Sequence, residues 1–308
     1  GDNVKEVQSC SVTFDSNGHI MTGALIGFTI VFRLSISYKR YYDGKGAVGR
    51  IVNNVRCLNL GMNTMIQRCS GGNKTELSLL SDVQEIRRLS CVLVGFIRQT
   101  IRECRHGIEP YAKAFRQPTT DELLDDPHGW PSLSILLTDE EKVKYAKCSY
   151  HARIGICSAK ITRIIERRRK QKLVSDRNAL DMIYCVHSCI DASTDIERIL
   201  ASGMPQPFVH LIDIALFWFT ISVPFVFSVN YKWLAPLPAM LVSTALYGIV
   251  QLGSILEDPF GWEDPKHDLT KVSWSIYTES FAMHESSFRT LGRDEKGIRS
   301  GIDSLILS

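Results

Sequence analysis

The sequence predicts an all-α integral membrane protein with a helical extramembrane domain, on three observations. Two long uncharged runs lie side by side in the C-terminal third, a shorter apolar block lies near the start, and the residues between read as amphipathic helices without strand alternation. Bulk averages conceal this pattern. Over 308 residues, 44% are hydrophobic and 22% charged, and the mean hydropathy is -0.02, because apolar blocks offset charged ones. The same averages exclude a disordered, collagen-like or purely coiled-coil chain. Lys and Arg total 36 against 33 Asp and Glu, a net charge of +3. That balance lacks the basic excess of a nucleic-acid partner. The nine cysteines are odd in number and scattered, which reads as reduced, mostly buried thiols in a non-oxidising compartment.

The first apolar block runs from Ile20 to Phe32, with Gly23, Ala24 and Gly27 favouring close helix packing, and then meets Arg33, Lys39 and Arg40. Its uncharged part is too short to span a bilayer alone, so the charged end must leave the membrane or face water. From Asn53 to Pro205 the pattern is amphipathic. Val83, Ile86, Leu89, Leu93, Ile97 and Ile101 recur at three- and four-residue spacing between Asp82 and Arg105. Thr138-Asp139-Glu140-Glu141 is a helix-start signal, and a long helix is expected from there through Arg169. Another is expected from Ser175 to Leu200, with Leu180, Ile183, Tyr184, His187 and Ile190 on one side. The stretch from Pro118 to Pro131 reads as a surface loop.

The strongest signal follows. Ile214 to Tyr231 is an uncharged run of 18 residues, and Trp233 to Leu256 is one of 24. At about 1.5 Å per residue the second would cross a hydrocarbon core of about 30 Å. Asn230-Tyr231-Lys232-Trp233 between them suits a membrane–water interface, so the pair reads as a transmembrane hairpin. Pro224, Pro236 and Pro238 are expected to kink or end helices there. The expected organisation is therefore 1–52 with the first membrane helix, 53–205 as the helical extramembrane domain, 206–256 as the hairpin, and 257–308 as an acidic turn with a peripheral segment.

Several motifs point to other chemistry and are outweighed. Gly44-Lys45-Gly46-Ala47-Val48-Gly49 has the dinucleotide-binding spacing but follows a helix, where a strand is required. Cys185, His187 and Cys189 lack a second ligand pair for zinc. Arg163 to Lys172 is a basic helix face, suited to solvent, to anionic lipid or to concentrating anions at a pore mouth. Asn73-Lys74-Thr75 is a glycosylation triplet in a region that reads as non-luminal. No nucleophile–base or paired-carboxylate set stands out, so no enzyme is expected. The only intramembrane candidates, His210 and Asp213, are expected to cap or pair.

Four sequence pieces, in order, resemble the bestrophin family of anion channels. Phe32-Arg33, followed by Tyr38 and Tyr41-Tyr42, is similar to that family's Phe-Arg signature. Glu197-Arg198-Ile199 and Met204-Pro205-Gln206-Pro207-Phe208 resemble its motif before the third membrane helix. Pro224 falls where relatives carry a Leu-Pro, and Asp258-Pro259-Phe260-Gly261 resembles its acidic turn. The resemblance covers roughly Ile20 to Ser287. It implies a homopentamer in the lipid bilayer with a pore on the fivefold axis, passing chloride and bicarbonate, and a helical vestibule. It implies a hydrophobic neck at Met21 and Leu25, with Asn17 one turn higher. It also implies a calcium site of the Asp264 and Asp268 carboxylates with the Ile255 and Asp258 carbonyls. Only 19 residues precede Ile20, where relatives carry a further segment and membrane helix, so a trimmed chain or a lost span is expected. That and the polar Asn17 raise an alternative: a non-conducting, bestrophin-derived structural subunit of a larger membrane complex. The expected location is an organelle inner membrane, thylakoid above others, or the plasma membrane.

Overall fold

The computed structural model describes residues 16–66, 73–106, 133–260 and 269–290. Among these there is no strand. The helices are α1 (Ser16–Ile66), α2 (Asn73–His106), α3 (Leu133–Leu136), α4 (Asp139–Ala146), α5 (Tyr150–Lys170), α6 (Asp176–Ala201), α7 (Gln206–Tyr231), α8 (Pro236–Glu257) and α9 (Leu269–Thr290). A 3-10 turn, Lys232–Leu234, joins α7 to α8. The chain forms two compact units. One takes residues 1–42 with 203–259, the other 43–202 with 260–308. The expected surface loop between Pro118 and Pro131 lies outside the described residues.

The first unit holds the apolar helices. Among the described residues three segments are long and apolar enough to cross a membrane: Asn17–Asn63, Gln206–Val229 and Lys232–Glu257. In lipid, apolar side chains gain little by leaving one hydrocarbon for another, so close packing and polar contacts must hold such helices together. Ile26 and Ile30 of α1 bury against Ile212 and Leu216 of α7, with Phe219, Leu246 and Val250 around them. Gly23 lets α1 approach, because a Cβ there would meet the Phe219 ring at 3.0 Å. Gly27 has open space beside it, so packing does not require a glycine there. Thr22 and Thr29 turn their hydroxyls back to the Gly18 and Leu25 carbonyls at 2.9 and 2.8 Å, so their polar groups are satisfied within α1. Pro224 lies inside α7 without ending it, while Pro236 stands in the first turn of α8, where a missing N–H costs nothing.

The glycine motif is settled by α1, which runs on through Gly44–Gly49 instead of ending near Asp43. No turn forms there to present amides to a phosphate. Each helical glycine disfavours the helix by up to about 1 kcal/mol relative to alanine. The buried row of Ala47, Val48, Ile51, Val55 and Leu58 outweighs that cost.

The second unit is a helical bundle with α2 at its centre, flanked by α5, α6 and α9. Its core runs along the predicted row Val83, Ile86, Leu89, Leu93, Ile97 and Ile101. Two sequence expectations change here. The long helix from Asp139 is broken: Thr138 and Glu141 make the expected capping box, but α4 ends at Ala146 and Ser149 caps a new helix by accepting from the Ala152 amide. The break lets Arg153 donate from Nε to the Tyr145 carbonyl at 3.0 Å and from Nη1 to Gln99 at 3.3 Å, although its side chain is fully buried. On α6 the predicted row divides: Leu180 and Tyr184 are exposed, Ile183 and Ile190 are partly buried against the core, and Ala179, Met182, Val186, Cys189 and Ala192 form the core face. Small residues permit the close approach, and a Cβ on Gly61 of α1 would meet Met182 at 2.9 Å. Cys57, Cys91, Cys148, Cys157, Cys185 and Cys189 are free thiols, three of them buried.

A charge network ties α2, α4 and α5. Arg88 donates to Glu85, to Glu141 and to the Leu136 carbonyl, and Lys160 donates to both carboxylates at 2.6 and 2.7 Å. Burial raises the Glu141 carboxyl, but the Arg88 and Lys160 hydrogen bonds outweigh it and hold the pKa at about 2. Arg88→Met leaves two carboxylates with one cation. We expect a loss of about 2 kcal/mol in denaturant unfolding, less than for a fully buried pair because Arg88 keeps some solvent contact.

His284 on α9 is buried, and desolvation, then the Arg87 cation, lowers its pKa to about 4 from 6.5. Between those values the unfolded chain binds more protons than the folded one, so stability falls as pH falls through that window. The melting temperature should therefore drop further from pH 7 to pH 4.5 in the wild type than in His284→Leu. Parallel curves for the two proteins would refute this.

Candidate functional site

Two features of the first unit are candidates for function: a bare apolar face on α1 and a charged cluster at the ends of the apolar runs. Along the part of α1 in this unit the buried positions are Ile26, Ile30, Arg33 and Ser37, spaced by three and four. The opposite face carries Met21, Leu25, Phe28 and Phe32 at the same spacing, and these are 77%, 66%, 71% and 50% exposed. Asn17 is exposed one turn before Met21. The three residues expected at a neck thus share one face of one helix, and that face is apolar below Asn17. Phe28 stacks toward Phe32 at 6.4 Å, and Phe32 meets the edge of Phe208, also at 6.4 Å.

Arg33 stands on the buried face, 4% exposed. Its Nη2 donates to Ser254 Oγ at 3.1 Å, and carboxylates of Asp213 and Glu257 lie 3.7 Å from Nη1 and Nη2. Those separations are ion pairs rather than hydrogen bonds, and Nε and Nη1 have no hydrogen-bond acceptor among the described residues. Glu257 reaches further: its Oε1 accepts from the Met204 amide at 3.1 Å, and its carbonyl accepts from Arg40 Nε at 3.4 Å. One carboxylate thereby joins α1, the segment entering α7 and the end of α8. Asp213 pairs, as anticipated for an acid bordering an apolar run.

The cluster holds no nucleophile with an adjacent base, so its chemistry is that of a lock. It was only partly legible beforehand. The Phe-Arg motif points to Arg33 and the acidic turn begins at Glu257, but no motif pairs the two or adds Ser254. A signal was available: Asp213 is the last charge before one apolar run, Glu257 the first after the other, and Arg33 the first after the third. Charges bounding apolar helices of one bundle tend to meet at one level.

The remaining predicted residues are dispersed. Pro205 is the N-cap of α7 and Pro207 stands in its first turn, both exposed. Glu197 belongs to the second unit, where burial raises its carboxyl pKa against the pull of His151, 3.5 Å away. Pro259 is buried, and Phe260 enters the core of the second unit. Ile255 lies in the last turn of α8 and Asp258 is its C-cap, so the Ile255 carbonyl is among those a helix end leaves without an intrahelical partner. Gly261, Asp264 and Asp268 lie outside the described residues. Among the described residues no group of three or more His, Cys, Asp or Glu is placed to hold a metal, Cys185, His187 and Cys189 included.

The profile of the family described as Bacterial/Fungal Bestrophin protein matches residues 4–277. The chain belongs to the bestrophin family. Similar bestrophin relatives include a voltage-dependent anion channel-forming protein of Nostoc sp., 24% identical over 249 residues, covering 80% of this chain and 70% of that one. The voltage-dependent anion channel-forming protein YneE of Salmonella typhi is 22% identical over 270 residues, covering 85% and 75%. The crystal structure of a bestrophin homolog from Klebsiella pneumoniae shares the fold, with a TM-score of 0.69 at 16% identity and 89% of each chain covered. As a bestrophin the chain is an integral membrane protein and not an enzyme.

The cluster generates a test. Arg33→Leu leaves Asp213 and Glu257 without their shared cation and frees the Met204 anchor. Detergent-solubilised protein should melt several degrees lower, and adding Glu257→Gln should recover part of that loss. An unchanged melting temperature in Arg33→Leu would mean that the cluster holds nothing together.

Proposed function

We propose that this bestrophin is an anion channel subunit that assembles as a homopentamer around a pore on the fivefold axis, with chloride as the permeant ion and bicarbonate as a second. The observation that carries this reading is the uncovered α1 face of Met21, Leu25, Phe28 and Phe32 beneath Asn17. Copies about an axis, each presenting α1, would make rings of these side chains. A ring of apolar side chains passes ions only when wetted, so Met21 and Leu25 would set the barrier and Asn17 would ease entry. The names of the relatives supply the anion. The free thiols support a helical domain facing a reducing compartment, which suits a thylakoid or another organelle inner membrane as well as a plasma membrane. Calcium bound by Asp264, Asp268 and the Ile255 and Asp258 carbonyls is the regulatory part of the proposal.

The first test is the mass of the particle in mild detergent, expected at about five times the 34.7 kDa chain. A single copy held among unrelated subunits would overturn the channel and favour a structural role. With a pentamer in hand, Leu25→Ala in a planar bilayer should raise chloride current several-fold by widening and wetting the narrowest ring. Currents insensitive to Met21 and Leu25 would place the barrier elsewhere.

A further inference from the structure

A cavity of about 790 Å³ opens in the helical unit, walled by α2, α5 and α9. That volume is in the range of small-molecule sites. Its wall is rich in cations: Arg87, Arg88, Lys160, Arg163 and Arg167 line it against two acids, Asp82 and Glu85. Most of these cations are matched within the chain. Arg88 and Lys160 share Glu85 and Glu141, and Arg167 with the buried Arg168 shares Asp82.

Arg87 is different. Its guanidinium lies over the Phe281 ring, 4.7 Å from the centroid, and its Nη1 is buried without an acceptor among the described residues. The groups that act on its charge are Cys91 and Tyr277, both neutral at pH 7, and the nearby His284 is held neutral as well. Arg87 makes no ion pair with a carboxylate among the described residues, and neither does Arg163. Burial pulls the Arg87 pKa down, as it does for a cation that lacks a compensating charge. Five cations line the wall against two acids, and Arg87 and Arg163 are the two without a carboxylate among the described residues.

We propose that this cavity binds a small, multiply charged phosphoryl anion, with Arg87 as the anchoring cation and Arg163 as the second. Guanidinium groups present paired N–H donors that match phosphate oxygens, and several together favour a multiply charged group over chloride. Leu136, Ile164 and Tyr277 line the same space and offer an apolar surface to an organic moiety, so a phosphorylated metabolite fits better than a bare ion. The site lies wholly in the helical unit, and it stands whether or not the chain conducts.

The test uses the full-length protein in detergent, titrated calorimetrically with inorganic pyrophosphate at fixed ionic strength. Saturable binding is expected, weakened at least tenfold by Arg87→Gln and clearly weakened by Arg163→Gln, an exposed position whose substitution leaves the fold intact. Without ligand, Arg87→Gln should melt no lower than the wild type, since it removes an uncompensated charge. Absence of saturable binding, as when another copy or another segment of the chain fills the cavity, overturns the proposal. So does binding that survives both substitutions, or a ligand-free melting temperature that falls in Arg87→Gln, which would make Arg87 a structural cation.

Discussion

A charge at the end of an apolar helix has to be matched or hydrated, and the first unit is arranged around that requirement. Arg33 interrupts the buried face of α1 one turn after Ile30, where a hydrophobic side chain would extend the packing against α7. The bundle accommodates it with one acid about two turns into α7 and one from the end of α8. Glu257 then binds the Met204 amide, so the chain's entry to α7 is tied to its exit from α8. Removing any member would leave the others unmatched, although they lie far apart in sequence. Packing alone would hold such helices weakly in lipid, because apolar contacts there replace other apolar contacts.

The same constraint sorts the two faces of α1. Arg33 and the isoleucines face the neighbouring helices, so the phenylalanines, Met21 and Leu25 are left outward. In water such a face would be a liability. In a bilayer it can meet lipid or, in the assembly proposed above, other copies of itself.

Much of this was legible in the sequence, and the reasons for the misses are physical. The transmembrane hairpin, the polar turn at Lys232 and the α2 core row came through because long apolar runs and strict periodicity are compatible with few structures. The break at Lys147–Ser149 did not, because the residues on both sides suit a helix and only the buried Arg153, which needs the Tyr145 carbonyl, requires the chain to turn. On α6 the row of larger side chains is split, Ile183 and Ile190 packing against the core and Leu180 and Tyr184 facing out, because the small Ala179 and Ala192 are what let the helix come close. The glycines at 44, 46 and 49 match a phosphate-loop spacing, but the helix read before them already argued against that use, and α1 runs through them. Arg33 was found through its motif, whereas its pairing with Glu257 and Ser254 emerged only when α8 was placed beside α1.

The two units leave different kinds of surface incomplete, and the difference separates what each can recognise. On the first unit the incomplete surface is an apolar stripe with one polar end, which is completed by shape and by like surfaces. On the second it is a cation, Arg87, seated on an aromatic ring beside neutral groups, while every other basic side chain lining the cavity except Arg163 has a carboxylate. A protein that needed Arg87 only for packing would be served as well by methionine or leucine, without the cost of desolvating a charge. Retaining a guanidinium there makes physical sense when something negative completes it. The network of Arg88, Lys160, Glu85 and Glu141 along the same wall then acts as a rigid frame: its charges are spent on one another, so what enters the cavity is selected by the cations that remain.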